Sequence, residues 1–228
     1  MLKSNLHSIF QAIESGNNLG EKITLVGATK TVSPEIINQA ISLGLEVVAE
    51  NKVQEFNQKH DKIQGARQHF IGHLQTNKVK YLVGKVELIH SVDSIHLAKA
   101  IDETAFKRGI VQDVLVEINI GGELSKSGFD YQNARSSIKE LSELKNVRLR
   151  GLMAMLPHSD DENLLIDLCK KMRTLFDEFK SAGYPFEYLS VGMSADYKIA
   201  INNGSNMIRL GRNIFGERNY GVKENGSI

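Results

Sequence analysis

Cysteine and proline are scarce in this 228-residue chain, with Cys169 alone and three prolines. One cysteine excludes an intramolecular disulfide and points to a reducing compartment. So few prolines, with no Pro/Gly/Ser-rich tract, leave no linker to divide the chain. Charge of one sign is also missing: 28 Lys and Arg stand against 27 Asp and Glu, a formal net charge of +1. Global attraction to nucleic acid or anionic lipid is thereby excluded. No apolar run approaches the roughly 20 residues of a membrane span, and the start lacks a secretory apolar region. There Leu6, Ile9, Phe10 and Ile13 follow helical spacing instead. The expectation is a soluble cytoplasmic protein with neither nucleic acid nor membrane as partner.

What is present is an ordinary globular balance, 41% hydrophobic and 24% charged. Short Val/Ile/Leu-rich runs alternate with amphipathic helical stretches. Eight runs read as strands: Ile23–Ala28, Glu46–Ala49, His69–Gly72, Leu88–Val92, Val114–Asn119, Leu149–Ala154, Tyr188–Met193 and Met207–Gly211. They lack clean polar alternation, as strands buried on both faces do. The segments between them read as helices. Ser33-Pro34 opens one that Gly44 closes, and Ile95, Ala98, Ile101 and Ala105 mark another before Gly109. Leu165, Leu168, Cys169, Met172, Leu175, Phe176 and Phe179 form an apolar stripe that makes Cys169 a core residue. Eight strand–helix repeats point to an α/β fold, a single (β/α)8 TIM barrel over residues 1–228 with an extra N-terminal helix. A doubly wound open sheet satisfies the same pattern.

In such a barrel the active face lies at the C-terminal strand ends. The stretch "ITLVGATKTVSPEII" places Lys30 where an apolar strand stops. Lys30 either snorkels to the rim and pairs with a carboxylate such as Glu50, or is a desolvated amine that attacks a carbonyl. Ser194, in "VGMSADYKIA", stands where it would cap the next helix, and Gly211, in "IRLGRNIFGE", lets backbone approach a ligand. The loops after strands seven and eight are the usual phosphate site of this fold. An amine and a phosphate site together suit pyridoxal 5′-phosphate (PLP) or a sugar phosphate. Arg209, a lone guanidinium in "MIRLG", either faces the interior, where it can serve a pyridine nitrogen, or turns outward to a helix. His69 and His73 flank "FIG" without a cluster of metal ligands around them, and read as hydrogen-bonding residues at the rim.

The motifs "LVGATKT", "AENKVQEF", "HFIGHLQTNK", "SKSGF", "RGLMAM", "LSVGMSADYKIAINNGS" and "MIRLGRNIFGERNY" together resemble the YggS/PROSC family of pyridoxal phosphate homeostasis proteins. The likeness runs from about residue 23 to 220. It implies a barrel like the N-terminal domain of alanine racemase, holding PLP as a Schiff base on Lys30. By the same resemblance Ser194 belongs to a "GMS" phosphate motif, and Arg209 and Gly211 to an "RIG" motif with Leu210 for Ile. Asn51 matches the Asn of "GEN". Arg212 stands where the family commonly has Thr, Ala49 where it has Gly, and Thr29 where it often has Ser.

Two functions are then open. One is a carrier that holds PLP, takes part in vitamin B6 homeostasis and hands the cofactor to apo PLP-dependent enzymes, with no catalytic residues and no metal. The other is a PLP-dependent amino-acid racemase. Racemisation needs acid/base groups on both faces of the cofactor, and alanine racemase draws one from a second domain for which no room remains after residue 220. An arginine at the pyridine nitrogen also weakens the ring as an electron sink. Both points favour the carrier, acting as a monomer. A sugar-phosphate aldolase ranks last, and Tyr197 reads as a packing residue of the helix after Ser194.

Overall fold

A computed structural model describes residues 1–216. Its strands are β1 (Thr24–Ala28), β2 (Val47–Glu50), β3 (Arg67–Phe70), β4 (Leu88–Val92), β5 (Gln112–Asn119), β6 (Phe129–Asp130), β7 (Val147–Ala154), β8 (Tyr188–Val191) and β9 (Met207–Leu210). They pair in the order β4-β3-β2-β1-β9-β8-β7-β5, all parallel, and a β4–β5 pairing closes the ring. Closure decides between the two expected architectures: the sheet is an eight-stranded barrel. The two-residue β6 lies outside it, against the end of β5.

The helices are α1 (Leu2–Ile13), α2 (Pro34–Ser42), α3 (Val53–Lys59), α4 (Ile95–Lys107), α5 (Ala134–Ser142), α6 (Glu162–Ser181), α7 (Tyr197–Asn202) and α8 (Arg212–Phe215). Pro34 sits at the first position of α2 after an extended Ser33, as its fixed φ favours. Asp161 caps α6 by accepting from the amides of Asn163 and Leu164. The stripe expected on α6 is buried in full, Cys169 included, and burial pushes the Cys169 thiol up to about 12. The β3–β4 connection differs from expectation. It carries a 3-10 turn over Thr76–Tyr81 rather than an α-helix, and Gly84 (φ +75°) ends the segment. Among the described residues no helix is long and apolar enough to cross a membrane.

Strand alternation sorts the side chains. Val26, Val47, Ala49, Leu88, Leu115, Met153 and Met207 form one buried layer, the barrel interior. Their neighbours Leu25, Val48, Ile208 and Leu210 pack outward with residues of α1 and α2, and Val114, Val116, Leu149 and Leu152 with those of α4, α5 and α6. Alternation alone would turn Met153 outward, because Leu149 is outward. A bulge prevents this: Val114 pairs with Leu149 but Val116 with Leu152, so one extra residue on β7 restores the inward phase for Met153. Gly151 makes the bulge possible. Its φ is +143°, and a Cβ there would stand 1.9 Å from the Tyr188 carbonyl oxygen. Gly151→Ala is therefore expected to lose roughly 2–4 kcal/mol of stability, read from the midpoint of urea unfolding. An unchanged midpoint would refute this account of the bulge.

Candidate functional site

At the end of β1 the chain turns through Thr29, Lys30 and Thr31. Thr29 is fully buried, Lys30 half-buried, and Thr31 adopts φ +65°, a left-handed conformation that β-branched residues seldom accept. Lys30 opens onto a cavity of about 300 Å³ whose lining includes Ala28, Ser33, Gly211 and Arg212. At Gly211 a Cβ would lie 3.4 Å from the Ala28 carbonyl oxygen, so the exits of β1 and β9 pass close together. Glu50, one of the carboxylates considered for Lys30, instead pairs with Lys59 (Nζ–Oε1 2.8 Å) and accepts from the Thr29 hydroxyl at 2.7 Å. Its strand phase explains the difference, since Ala49 fills the barrel and Glu50 turns to the opposite face. Burial raises the Glu50 pKa, and the bonds from Lys59 and Thr29 offset part of that rise.

Arg209 shares the phase of Met207 and so points into the barrel. Its Nη1 donates to the Ser190 carbonyl and hydroxyl, both at 2.7 Å, and Nη2 donates to the Ala154 carbonyl at 3.0 Å. Burial lowers its pKa to about 10 while Glu117 and Asp196 pull the other way. A guanidinium only donates, so Ser190 accepts from it and turns its own proton to His90 Nδ1 at 3.3 Å. His90 then carries its proton on Nε2 and donates to His69 Nδ1 at 3.0 Å. Burial lowers the pKa of both histidines, which holds the pair neutral at physiological pH. His69 is thus a buried interior residue, whereas the sequence placed it at the rim. It is drawn inside because its strand neighbour Phe70 takes the outward core position.

Sequence reasoning missed Glu117. It lies on the inward face of β5 and is 2% exposed. Burial first, then the Asp93 carboxylate, raises its pKa to about 7, against the pull of Arg209. A glutamate between Val116 and Ile118 in a run otherwise read as buried was the available signal.

Ser194 does not cap the helix that follows. That helix starts at Tyr197, and Asp196 occupies the cap position, its Oδ1 accepting from the Met193 amide at 2.6 Å. The shorter carboxylate-closed turn leaves Ser194 half-buried before it. Tyr197 packs into the helix layer. The turn is held to β9, because the Arg209 amide donates to the Gly192 carbonyl at 3.0 Å. Asn51 follows β2 directly, and its buried Oδ1 lacks a hydrogen-bond partner among the described residues. Gly72 lets the next strand end approach it: a Cβ there would meet the Asn51 carbonyl oxygen at 2.0 Å. Lys30, Gly211 and Arg212 share one cavity; Asn51 and Ser194 stand at the exits of other strands, Arg209 lies within β9 facing the barrel interior, and none of these three lines it. The "SKSGF" loop after β5 touches residues that follow β3 and β7. Ser127 Oγ meets His73 Nδ1 at 3.3 Å, His73 meets Asp93 at 3.0 Å, and Lys126 donates to the Leu156 carbonyl at 3.2 Å. Residues 217–220 of the last motif lie outside the described residues. Among the described residues no group of three or more His, Cys, Asp and Glu could hold a metal ion.

The profile of the family described as "Alanine racemase, N-terminal domain" matches residues 25–219. A pyridoxal phosphate homeostasis protein of Aquifex aeolicus is 43% identical over 218 residues, 94% of this chain and 96% of the relative. The chain belongs to the pyridoxal phosphate homeostasis protein family. A solved structural relative of this family member is PipY, the COG0325 family member of Synechococcus elongatus PCC7942, described with PLP bound. It is 27% identical, with a TM-score of 0.83 over 95% of this chain and all of PipY. Alanine racemase of Clostridium difficile 630 shares the fold at 18% identity and a TM-score of 0.76, with 57% of the racemase chain covered.

Glu117 gives this family member a pH signature. Its folded pKa, about 7, lies above the ordinary 4.5. Across that window the folded chain keeps a proton that the unfolded chain releases, so stability falls as pH rises and levels off above it. Glu117→Gln removes this component. The variant's stability relative to the native chain is expected to rise across the window by on the order of 3 kcal/mol, measured by urea unfolding. A relative stability flat with pH would contradict the assignment.

Proposed function

We propose that this chain binds PLP reversibly, with Lys30 as its covalent point of attachment, and holds the cofactor for cellular homeostasis without turning over an amino acid. The observation that carries the reading is Arg209, a buried guanidinium inside the barrel whose register partner on β1 is Val26, on the strand that leads to Lys30. Bound PLP supplies an aldehyde that an amine captures with loss of water, a ring nitrogen that accepts a hydrogen bond, and a phosphate dianion.

The residues fit those groups. Lys30 provides the amine. Arg209 has used Nη1 and one hydrogen of Nη2 on protein acceptors, which leaves Nε–H and one further hydrogen for a ring nitrogen. Gly211 and Arg212 offer backbone amides and a cation at the cavity beside Lys30, and Ser194 a hydroxyl from the neighbouring turn; these suit the phosphate. Asn51 brings to the ligand's flank a buried oxygen without a partner among the described residues.

The same arginine argues against turnover. With a pKa of about 10 it stays charged at neutral pH and donates its proton in a hydrogen bond rather than giving it up. A ring nitrogen so served stays unprotonated and stabilises a carbanion poorly. Tyr197, the nearby phenol, is engaged in helix packing. Apo-enzymes that use the same cofactor are the partners this reading implies, met in the cytoplasm, where a lone buried thiol such as Cys169 stays reduced.

The test is borohydride reduction of the PLP-treated protein followed by peptide mapping, beside Lys30→Ala. One stoichiometric pyridoxyl group on Lys30, absent from the variant, is expected, with no racemisation of amino acids by the native chain. Labels scattered over surface lysines would overturn the binding reading, and sustained racemisation would overturn the carrier.

A further inference from the structure

We infer that Lys59 is a positioning residue for Lys30, clamping the exit of β1 from outside the barrel. The inference rests on the reading of Lys30 as the attachment residue. Lys59 ends α3 and is 9% exposed. Its Nζ faces three acceptors: Glu50 Oε1 at 2.8 Å, the Thr29 carbonyl at 3.0 Å and Glu55 Oε2 at 3.1 Å. An ammonium has one hydrogen for each, so its donors are fully used.

Those acceptors in turn hold both neighbours of Lys30. Glu50 Oε1 also accepts from the Thr29 hydroxyl at 2.7 Å, and Glu55 Oε2 accepts from the Thr31 amide at 2.8 Å. Thr29 is therefore fixed through its carbonyl and side chain, and Thr31 through its N–H. Thr31 needs such a tie, because φ +65° persists in a β-branched residue only where the surroundings enforce it. With residues 29 and 31 pinned from the helix side, the backbone that presents Lys30 to the cavity has little freedom left.

Packing does not explain the choice of residue. Val53 and Phe56 already anchor α3 in the core, and an apolar residue at position 59 would extend that contact without burying a charge. The cation earns its place through the carboxylates. Without it, Glu50, whose second oxygen is already buried without a hydrogen-bond partner among the described residues, and Glu55 face each other without the ammonium they share, and Glu55 is the group that holds the Thr31 amide.

The test uses the full chain as native protein, Lys59→Met, which keeps the length but not the donors, and Glu55→Ala, which removes the Thr31 tie from a more exposed position. The first readout is on the apo-protein: amide hydrogen exchange at Thr31, with global stability measured in parallel. The second is PLP affinity and the pH midpoint of the bound cofactor's absorption change. In Lys59→Met we expect faster Thr31 exchange, about ten-fold weaker PLP binding and a displaced pH midpoint, with the pyridoxyl label still on Lys30. A folded Lys59→Met that matches the native protein in Thr31 exchange and affinity overturns the inference. Should Lys59→Met not fold, Glu55→Ala decides: weaker PLP binding with faster Thr31 exchange supports the clamp, and native values overturn it. A native chain that traps no label on Lys30 overturns the reading of Lys30 and the inference with it.

Discussion

A guanidinium inside a barrel must be met by acceptors on every side it cannot wet, and the interior is arranged around that demand for Arg209. Ser190 gives it two oxygens and Ala154 a third. The Ala154 carbonyl lies on β7 just past the bulge at Gly151, so the irregularity that turns Met153 inward also sets the phase of the strand that receives Nη2. The neutral His90–His69 pair follows from the same demand. A donor-only cation at one end of the chain fixes the direction of every proton after it, and burial keeps a second positive charge from forming there. Glu117, its pKa raised to about 7 chiefly by burial, compensates the cation only in part at neutral pH.

Lys30 is managed from the other side of the sheet. β1 and β9 are neighbours, with Val26 level with Arg209, so the strand that carries Arg209 lies beside the one that delivers Lys30. Arg209 is held from within the barrel by Ser190 and Ala154, whereas the exit bearing Lys30 is fixed from without, by Glu50, Glu55 and Lys59. Placing the clamp on the outward phase of β2 leaves the inward phase to Ala49, which keeps the mouth clear.

The sequence revealed the parts of this arrangement that depend on local order. All eight barrel strands were legible because each is a short apolar run between helical patterns. Lys30 and Arg209 stood out because each breaks such a run. What escaped depends on phase and on contacts between distant segments. The inward turn of His69 and its bond to His90 join two strands, and Lys59 with Glu50 joins a helix end to a strand face. The cap at Asp196 rather than Ser194 turned on a choice among adjacent polar residues in one turn, which spacing does not resolve. The bulge on β7 is invisible without its partner's register, although Gly151 marks where it forms. The 3-10 turn between β3 and β4 shows that a barrel connection need not be an α-helix.

The central claim is that Arg209 serves the ring of a bound pyridine cofactor as a charged hydrogen-bond donor. The most direct measurement is the 15N chemical shift of PLP labelled at its ring nitrogen, bound to the native chain at neutral pH. The account predicts the shift of an unprotonated, hydrogen-bonded pyridine, moving on Arg209→Glu toward that of a protonated ring. A pyridinium shift in the native protein would contradict it.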